Sequence, residues 1–177
     1  GAELITEEQK PKLGAFMADL VWIENVGARG FAALAKKAHA VDGGQGPFCI
    51  LYVALDNFTM LNDAFGNEVG DRMLKEVSRR LSLGDGRRTQ ACHIGVGEFA
   101  MIIDGDHHSA RTSAQRVSNA LAVPFAFEAI RAQFTCSIGV AVYPEHGAVG
   151  KLLGNAALAM RSVKSKSRRI VVAGDCH

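Results

Sequence analysis

The stretch Thr89-Gln90-Ala91-Cys92-His93-Ile94-Gly95-Val96-Gly97-Glu98-Phe99-Ala100-Met101-Ile102-Ile103 decides how this chain is read. Apolar residues flank a centre that holds two glycines and one acid. That is the pattern of a β-hairpin, with glycine supplying the backbone freedom that a tight turn demands. Upstream, residues 48–55 form a nearly continuous apolar run of strand length, as expected for a central strand covered on both faces. Residues 56–65 read as a short helix ended by Gly66. Residues 67–82 read as a longer one, with Val69, Met73, Val77 and Leu81 at four-residue steps. Downstream, residues 109–121 predict a helix closed by Pro124, and residues 132–142 a strand. Residues 152–166 predict a helix and residues 169–172 a last strand.

The order β-α-α-β-β-α-β-α-β defines an α+β domain, a mostly antiparallel sheet of five to six strands flanked by helices. Ahead of it, residues 7–39 carry an apolar stripe at helical spacing, interrupted at Gly27 and Gly30. The expected division is an N-terminal helical segment and linker over 1–46 and a globular domain over 47–177. The start Gly1-Ala2, without methionine, suggests a longer natural protein.

The 177 residues are 48% hydrophobic and 21% charged, enough for one core. A net charge of +2 gives no argument for nucleic acid or an anionic membrane. No apolar run approaches the roughly 18–20 residues of a spanning helix, and no secretory signal is recognisable. A cytoplasmic location is expected. Cys49, Cys92, Cys136 and Cys176 are widely spaced, and the first three lie in or beside strand-like runs. They read as reduced, buried thiols.

Several segments, in order, resemble the GGDEF domain of diguanylate cyclases. Leu55 to Asn67, with Asp56, Phe58, Asn62 and Asp63, is similar to the family's DxDxFKxxNDxxGH. Gly70-Asp71-Arg72-Met73-Leu74 is similar to GDxxL. Ser137-Ile138-Gly139-Val140-Ala141 followed by Tyr143-Pro144 is similar to SIGxAxYP. Ala159-Met160 with Lys164 and Arg168 is similar to AMYxAKxxGR. Gly95, Val96, Gly97, Glu98 and Phe99 stand at the signature itself. The resemblance implies a nucleotide-cyclase palm-like fold. It also implies an ancestral reaction, in bacterial signalling, that joins two GTP into cyclic di-GMP.

The departures fall on the chemistry. The first Asp of DxD and the acid of the signature turn hold the family's divalent metals. Here they are Ala54 and Gly97, which offer no side-chain oxygen to Mg²⁺. Glu98 remains as a vestigial ligand, and Asp56 matches an acid that does not usually ligate through its side chain. Val96 replaces a glycine that lets nucleotide approach the backbone, and a β-branched residue resists both that approach and positive φ. Ala157 and Arg161 stand where an acid and a tyrosine are usual. The family's inhibitory RxxD motif would fall at Gly86 and Thr89, so it is missing.

What the resemblance leaves is a set of nucleotide-binding candidates: Asn62 and Asp71 for guanine, Lys164 and Arg168 for phosphate. Each has a plainer reading. Asn62 and Asp71 are residue types that cap helices. Lys164, Lys166, Arg168 and Arg169 also suit a solvated helix end. His107 and His108 read as polar surface.

The reading is a catalytically inactive domain with a regulatory role in cyclic di-GMP signalling, either sensing GTP or contacting protein. No catalytic residue, metal or cofactor is assigned; Mg²⁺ enters only with residual activity. The alternatives are a residual diguanylate cyclase using Glu98 and Asp56, and a pure interaction or dimerisation module that binds no nucleotide. An EAL phosphodiesterase or sensory domain in the full protein, and a homodimer, are the expected partners.

Overall fold

The computed structural model describes residues 46–83, 90–163 and 169–174. The helices expected over 7–39, the boundary at 46, Gly86, Thr89, Lys164, Lys166 and Arg168 lie outside the described residues.

Strand β1 (Phe48–Leu55) is the axis of the domain, and all eight of its residues are buried. Alternation along the strand sends Cys49, Leu51, Val53 and Leu55 into one core and Phe48, Ile50, Tyr52 and Ala54 into the other. An uncharged run is the sequence consequence of two covered faces. Its partners bracket the whole sequence reading. After β2 (Gln90–Gly95) come β3 (Glu98–Asp104), β4 (Phe125–Phe127), β5 (Ile130–Ala132), β6 (Cys136–Tyr143) and β7 (Ile170–Val172). The main sheet has the order β2-β3-β1-β6-β7, with β1 antiparallel to both β3 and β6 and β7 parallel to β6. The expected five-stranded, mostly antiparallel sheet is present.

Helices cover the two faces unequally. On one lie α1 (Phe58–Phe65), α2 (Asn67–Leu83) and α3 (His107–Ala122), through Phe58, Met73, Val77, Leu81, Ala114 and Val117. On the other lies α4 (Val149–Ser162), through Leu152, Leu153, Ala156, Ala157 and Met160. Gly139 of β6 sets how close α4 comes: a Cβ there would run into the Ala156 carbonyl and the Met160 amide. Close backbone approach leaves room for nothing larger than glycine.

One part of the expected order is corrected. Residues 132–142 are not one strand. A separate hairpin, β4–β5, precedes β6, turning at Glu128 with φ 55°. Arg80 fastens α2 to it. Its guanidinium donates to the carbonyls of Ala120 (3.0 Å) and Pro124 (3.2 Å) and lies 3.7 Å over the Phe125 ring. A cation on an aromatic face adds about 1 kcal/mol to such a contact.

Cys49 and Cys136 are buried free thiols, as expected. The Cys49 Sγ–H donates to the Gly105 carbonyl at 3.0 Å. Burial pushes its thiol up from 9.0 to about 12 and that of Cys136 to about 11. The Cys92 side chain and Cys176 lie outside the description. His107 and His108 are exposed at the start of α3, where polar surface was expected.

Candidate functional site

The hairpin turn is Val96-Gly97, closing β2 onto β3 with Gly95 opposite Glu98. It folds back onto the end of β1, where the Leu55 amide donates to the Gly97 carbonyl at 2.8 Å. Between this turn, the start of α1 and α4 lies a cleft of about 290 Å³. Ala54, Asp56, Thr59, Val96, Glu98 and Met160 line it. The structure therefore brings the signature turn and the DxD segment to one place.

Gly97 occupies the left-handed region, with φ 67°. A Cβ on it would stand 2.9 Å from Phe58 Cβ. Val96 does not take positive φ, as expected of a β-branched residue. The valine side chain is 71% exposed at the cleft rim. Phe99 is fully buried against the His93 ring, so the last signature residue serves the core.

Both remaining acids are engaged. Tyr52, one alternation step before Ala54, reaches along the same face of β1 and donates its hydroxyl to Glu98 Oε2 at 2.5 Å. The Asp56 carboxylate accepts three bonds. Thr135 Oγ1 donates to Oδ2 at 2.6 Å, Ser137 Oγ to Oδ1 at 3.0 Å, and Arg169 Nη1 to Oδ2 at 3.0 Å. The Asp56 amide in turn donates to the Thr135 carbonyl at 2.9 Å. Asp56 is thus the knot of a clasp joining the ends of β1, β6 and β7.

This donor set does not fit a divalent cation. Mg²⁺ asks for six oxygens in near-octahedral order, commonly anchored by carboxylates. Ala54 and Gly97 supply none, one Glu98 oxygen holds a phenol, and both Asp56 oxygens hold donors. Among the described residues, no group of three or more Asp, Glu, His or Cys stands close enough to hold a metal ion.

Asn62 and Asp71 sit apart from the cleft lining, at the α1–α2 junction. Neither caps a helix: Asn62 lies within α1 and Asp71 within α2. Asn62 Nδ2 donates to Asn67 Oδ1 at 2.9 Å, and Asn62 Oδ1 packs on Gly70, where any Cβ would displace it. Asp71 is exposed and makes no side-chain bond among the described residues. Ala157, at the position of a family acid, is buried on the face of α4 that packs on the sheet. Arg161 is exposed.

Sequence reasoning missed Tyr52, Thr135 and the bonds made by Ser137 and Arg169; Arg169 is exposed, as its solvated-face reading expected, and still reaches Asp56. Tyr52 carried a usable signal. Strand alternation puts residues 52 and 54 on one face, and Glu98 lies opposite Ala54 in the β1–β3 register. The clasp carried none, because its partners lie 79 to 113 residues from Asp56.

A five-stranded antiparallel-centred sheet with a two-glycine hairpin folded over the end of its first strand defines the class, the α+β palm of nucleotide cyclases. The family model described as diguanylate cyclase, GGDEF domain, matches residues 30–169, so the chain belongs to the GGDEF family. It is 30% identical over 123 residues to MucR of Pseudomonas aeruginosa, a bifunctional diguanylate cyclase/cyclic di-GMP phosphodiesterase. It is 31% identical over 121 residues to PdeR of Escherichia coli, a cyclic di-GMP phosphodiesterase. These alignments cover 68% and 67% of this chain but only 18% of each relative. Among solved structures, an EAL/GGDEF domain protein from M. capsulatus aligns with TM-score 0.68 and 31% identity, over 82% of this chain and 97% of that one. The GGDEF domain of YfiN (TpbB) from P. aeruginosa aligns with TM-score 0.75 and 23% identity, over 81% and 92% of the chains, a likeness of fold alone.

Proposed function

We propose that this domain is catalytically silent and regulates a larger cyclic di-GMP signalling protein by binding nucleotide. One observation carries the reading. In the cleft where the DxD segment meets the signature turn, two positions that hold acids in the family are Ala54 and Gly97, and the two acids left are occupied by Tyr52 and by the Asp56 clasp. Phosphoryl transfer depends on charge placed around the phosphates and the attacking hydroxyl. This cleft lacks that charge, while its shape and the exposed Asp71 remain.

GTP is the ligand proposed, with Asn62 and Asp71 reading guanine and Lys164 and Arg168 contacting phosphate. An exposed carboxylate can accept two N–H bonds from a guanine edge. The likeness to MucR and PdeR supports a neighbouring phosphodiesterase domain in the whole protein; a sensory domain, a cytoplasmic setting and a homodimer complete the proposal. No helix among the described residues is long and apolar enough to cross a membrane.

The test is chromatography of GTP incubated with the domain and Mg²⁺ or Mn²⁺, beside a titration with GTP. Binding that weakens at least tenfold on Asp71→Ala, with no cyclic di-GMP formed, is the expected result. Product whose rate falls on Glu98→Ala would establish a residual cyclase instead. A second reading, a protein-contact module without nucleotide, is favoured by the exposed Val96 on the cleft rim. It prevails if millimolar GTP neither binds nor raises the melting temperature.

A further inference from the structure

We propose that the cleft has become a metal-free site, and that Tyr52 and Arg169 are the positioning residues that make it so. The inference deepens the nucleotide reading above, because it says in what form a ligand is taken, yet its central measurement needs no nucleotide.

The argument starts from what a carboxylate does when its metal partners are gone. Two acids lining a cleft of about 290 Å³ repel each other and attract cations unless something neutralises them. In this domain each acid has its own donor, a neutral phenol for Glu98 and a guanidinium for Asp56. Tyr52 is buried, with 2% exposure, and its hydroxyl is aimed along the sheet at Glu98 Oε2. A phenol bonded to a carboxylate is a charge-assisted bond, among the stronger kinds. Glu98 is also braced from behind: a Cβ at Gly95 would stand 3.1 Å from Oε2, so the carboxylate rests on the glycine.

Arg169 does for Asp56 what a cation would do. Its guanidinium lies 3.0 Å from Oδ2, and the Asp56 side chain is only 16% exposed. Thr135 donates to the same oxygen and Ser137 to Oδ1. Three donors take three of the carboxylate's roughly four lone-pair directions, so a metal would have to displace them to gain more than one weak contact. Arg169 cancels the charge of Asp56, and Glu98 is left as a single carboxylate held by a phenol. A polyphosphate entering the cleft meets one fixed acid and not the cluster of acids that a metal ion bridges.

Manganese is the probe, because its unbound form gives an electron paramagnetic resonance signal that binding broadens away. The wild-type domain is expected to leave the signal of Mn²⁺ unchanged up to millimolar metal. Tyr52→Phe removes one oxygen atom and frees Glu98; Arg169→Gln removes the cation from Asp56, restores its net negative charge to the cleft and leaves the Thr135 and Ser137 bonds in place. The double variant is expected to bind Mn²⁺ at least tenfold more tightly than wild type, and Glu98→Gln added to it is expected to abolish the gain. Circular dichroism melting establishes that each variant is folded. Submillimolar Mn²⁺ binding by the wild type, lost on Glu98→Gln, would overturn the inference. So would a folded double variant that binds no more Mn²⁺ than wild type.

The nucleotide arm separates this inference from the function on which it rests. GTP is titrated in chelator and in Mg²⁺, and dissociation constants within threefold of each other are expected. Binding seen only with Mg²⁺ overturns the metal-free site while leaving nucleotide sensing in place. Absence of GTP binding in both buffers sinks nucleotide sensing, and the manganese result then decides the roles of Tyr52 and Arg169 on its own.

Discussion

Gly139 and Gly97 are both glycines that a methyl group would not fit, yet they belong to regions of opposite character. Gly139 lies at the sheet centre, where the backbone of α4 rests directly on it. Around it β1 and β6 are buried along their whole length. Gly97 lies at the cleft, beside Ala54, which offers a metal nothing, and Val96, which projects into solvent. The difference teaches that the determinants of this fold and of the cleft's chemistry are separable. Core positions stabilise the sheet whatever the cleft does. Site acids, by contrast, need a partner, and an unpartnered carboxylate near another is a cost.

That separation can be broken most sharply at its scaffold end. Gly139→Val forces α4 off the sheet and should destabilise the domain by about 3 kcal/mol or more, read by urea unfolding. A loss below about 1 kcal/mol would mean that α4 is not seated as described. Next comes the clasp. Asp56→Ala strands the donors of Thr135, Ser137 and Arg169 and should remove about 2 kcal/mol, because groups left unsatisfied cost their desolvation. Asp56→Asn should lose less, since the amide oxygen still accepts. Equal losses for the two variants would contradict the geometry.

The cleft end should respond more weakly, and in an instructive way. Gly97→Asp restores an acid to the signature but places a side chain at φ 67° against Phe58. A loss of about 1–2 kcal/mol is expected, with no gain of cyclase activity. Recovered turnover would show that one carboxylate is all the cleft lacked. Val96→Gly removes an exposed side chain and should change stability by less than about 0.5 kcal/mol. A larger loss would mean that Val96 is packed rather than free.

Alkalinity offers a further test of the core. The folded Cys49 and Cys136 hold their protons to about 12 and about 11, against 9.0 for an ordinary thiol. Above pH 9 the unfolded chain releases those protons first, so stability is whole below pH 9 and declines as pH climbs towards 11 and 12. Denaturation midpoints at pH 8 and pH 10.5 should differ, and Cys49→Ala with Cys136→Ala should flatten the slope. An unchanged slope would place the loss on other groups.

The strands that were legible in the sequence are those whose burial writes a pattern. Residues 48–55 have no charge because both sides are covered, and the strand has those bounds. The four-residue steps of Met73, Val77 and Leu81 survive as the buried edge of α2. The β4–β5 hairpin was not legible. Its strands have three residues each, too few for alternation to register, and the turn at Glu128 lacks a glycine. In the cleft, the signature residues were legible as type and spacing. What engages them was not, because Asp56 and Arg169 are 113 positions apart and no local pattern links them. The guanine candidates were legible as residues but misread in one respect, since neither Asn62 nor Asp71 caps a helix.

The central place of β1 has a consequence for synthesis. It is the first strand of the sheet to leave the ribosome, yet its two neighbours are β3 and β6, which end at Asp104 and Tyr143. At roughly 10 residues per second, the run from Phe48 to Leu55 waits about five seconds with both edges open before β3 is complete, and about nine before β6 covers the other edge. An uncharged, β-prone octapeptide in that state is the kind of segment that pairs with a copy of itself on a neighbouring nascent chain. The sheet order thus makes the nascent chain, rather than the finished domain, the form of this protein most in need of a chaperone.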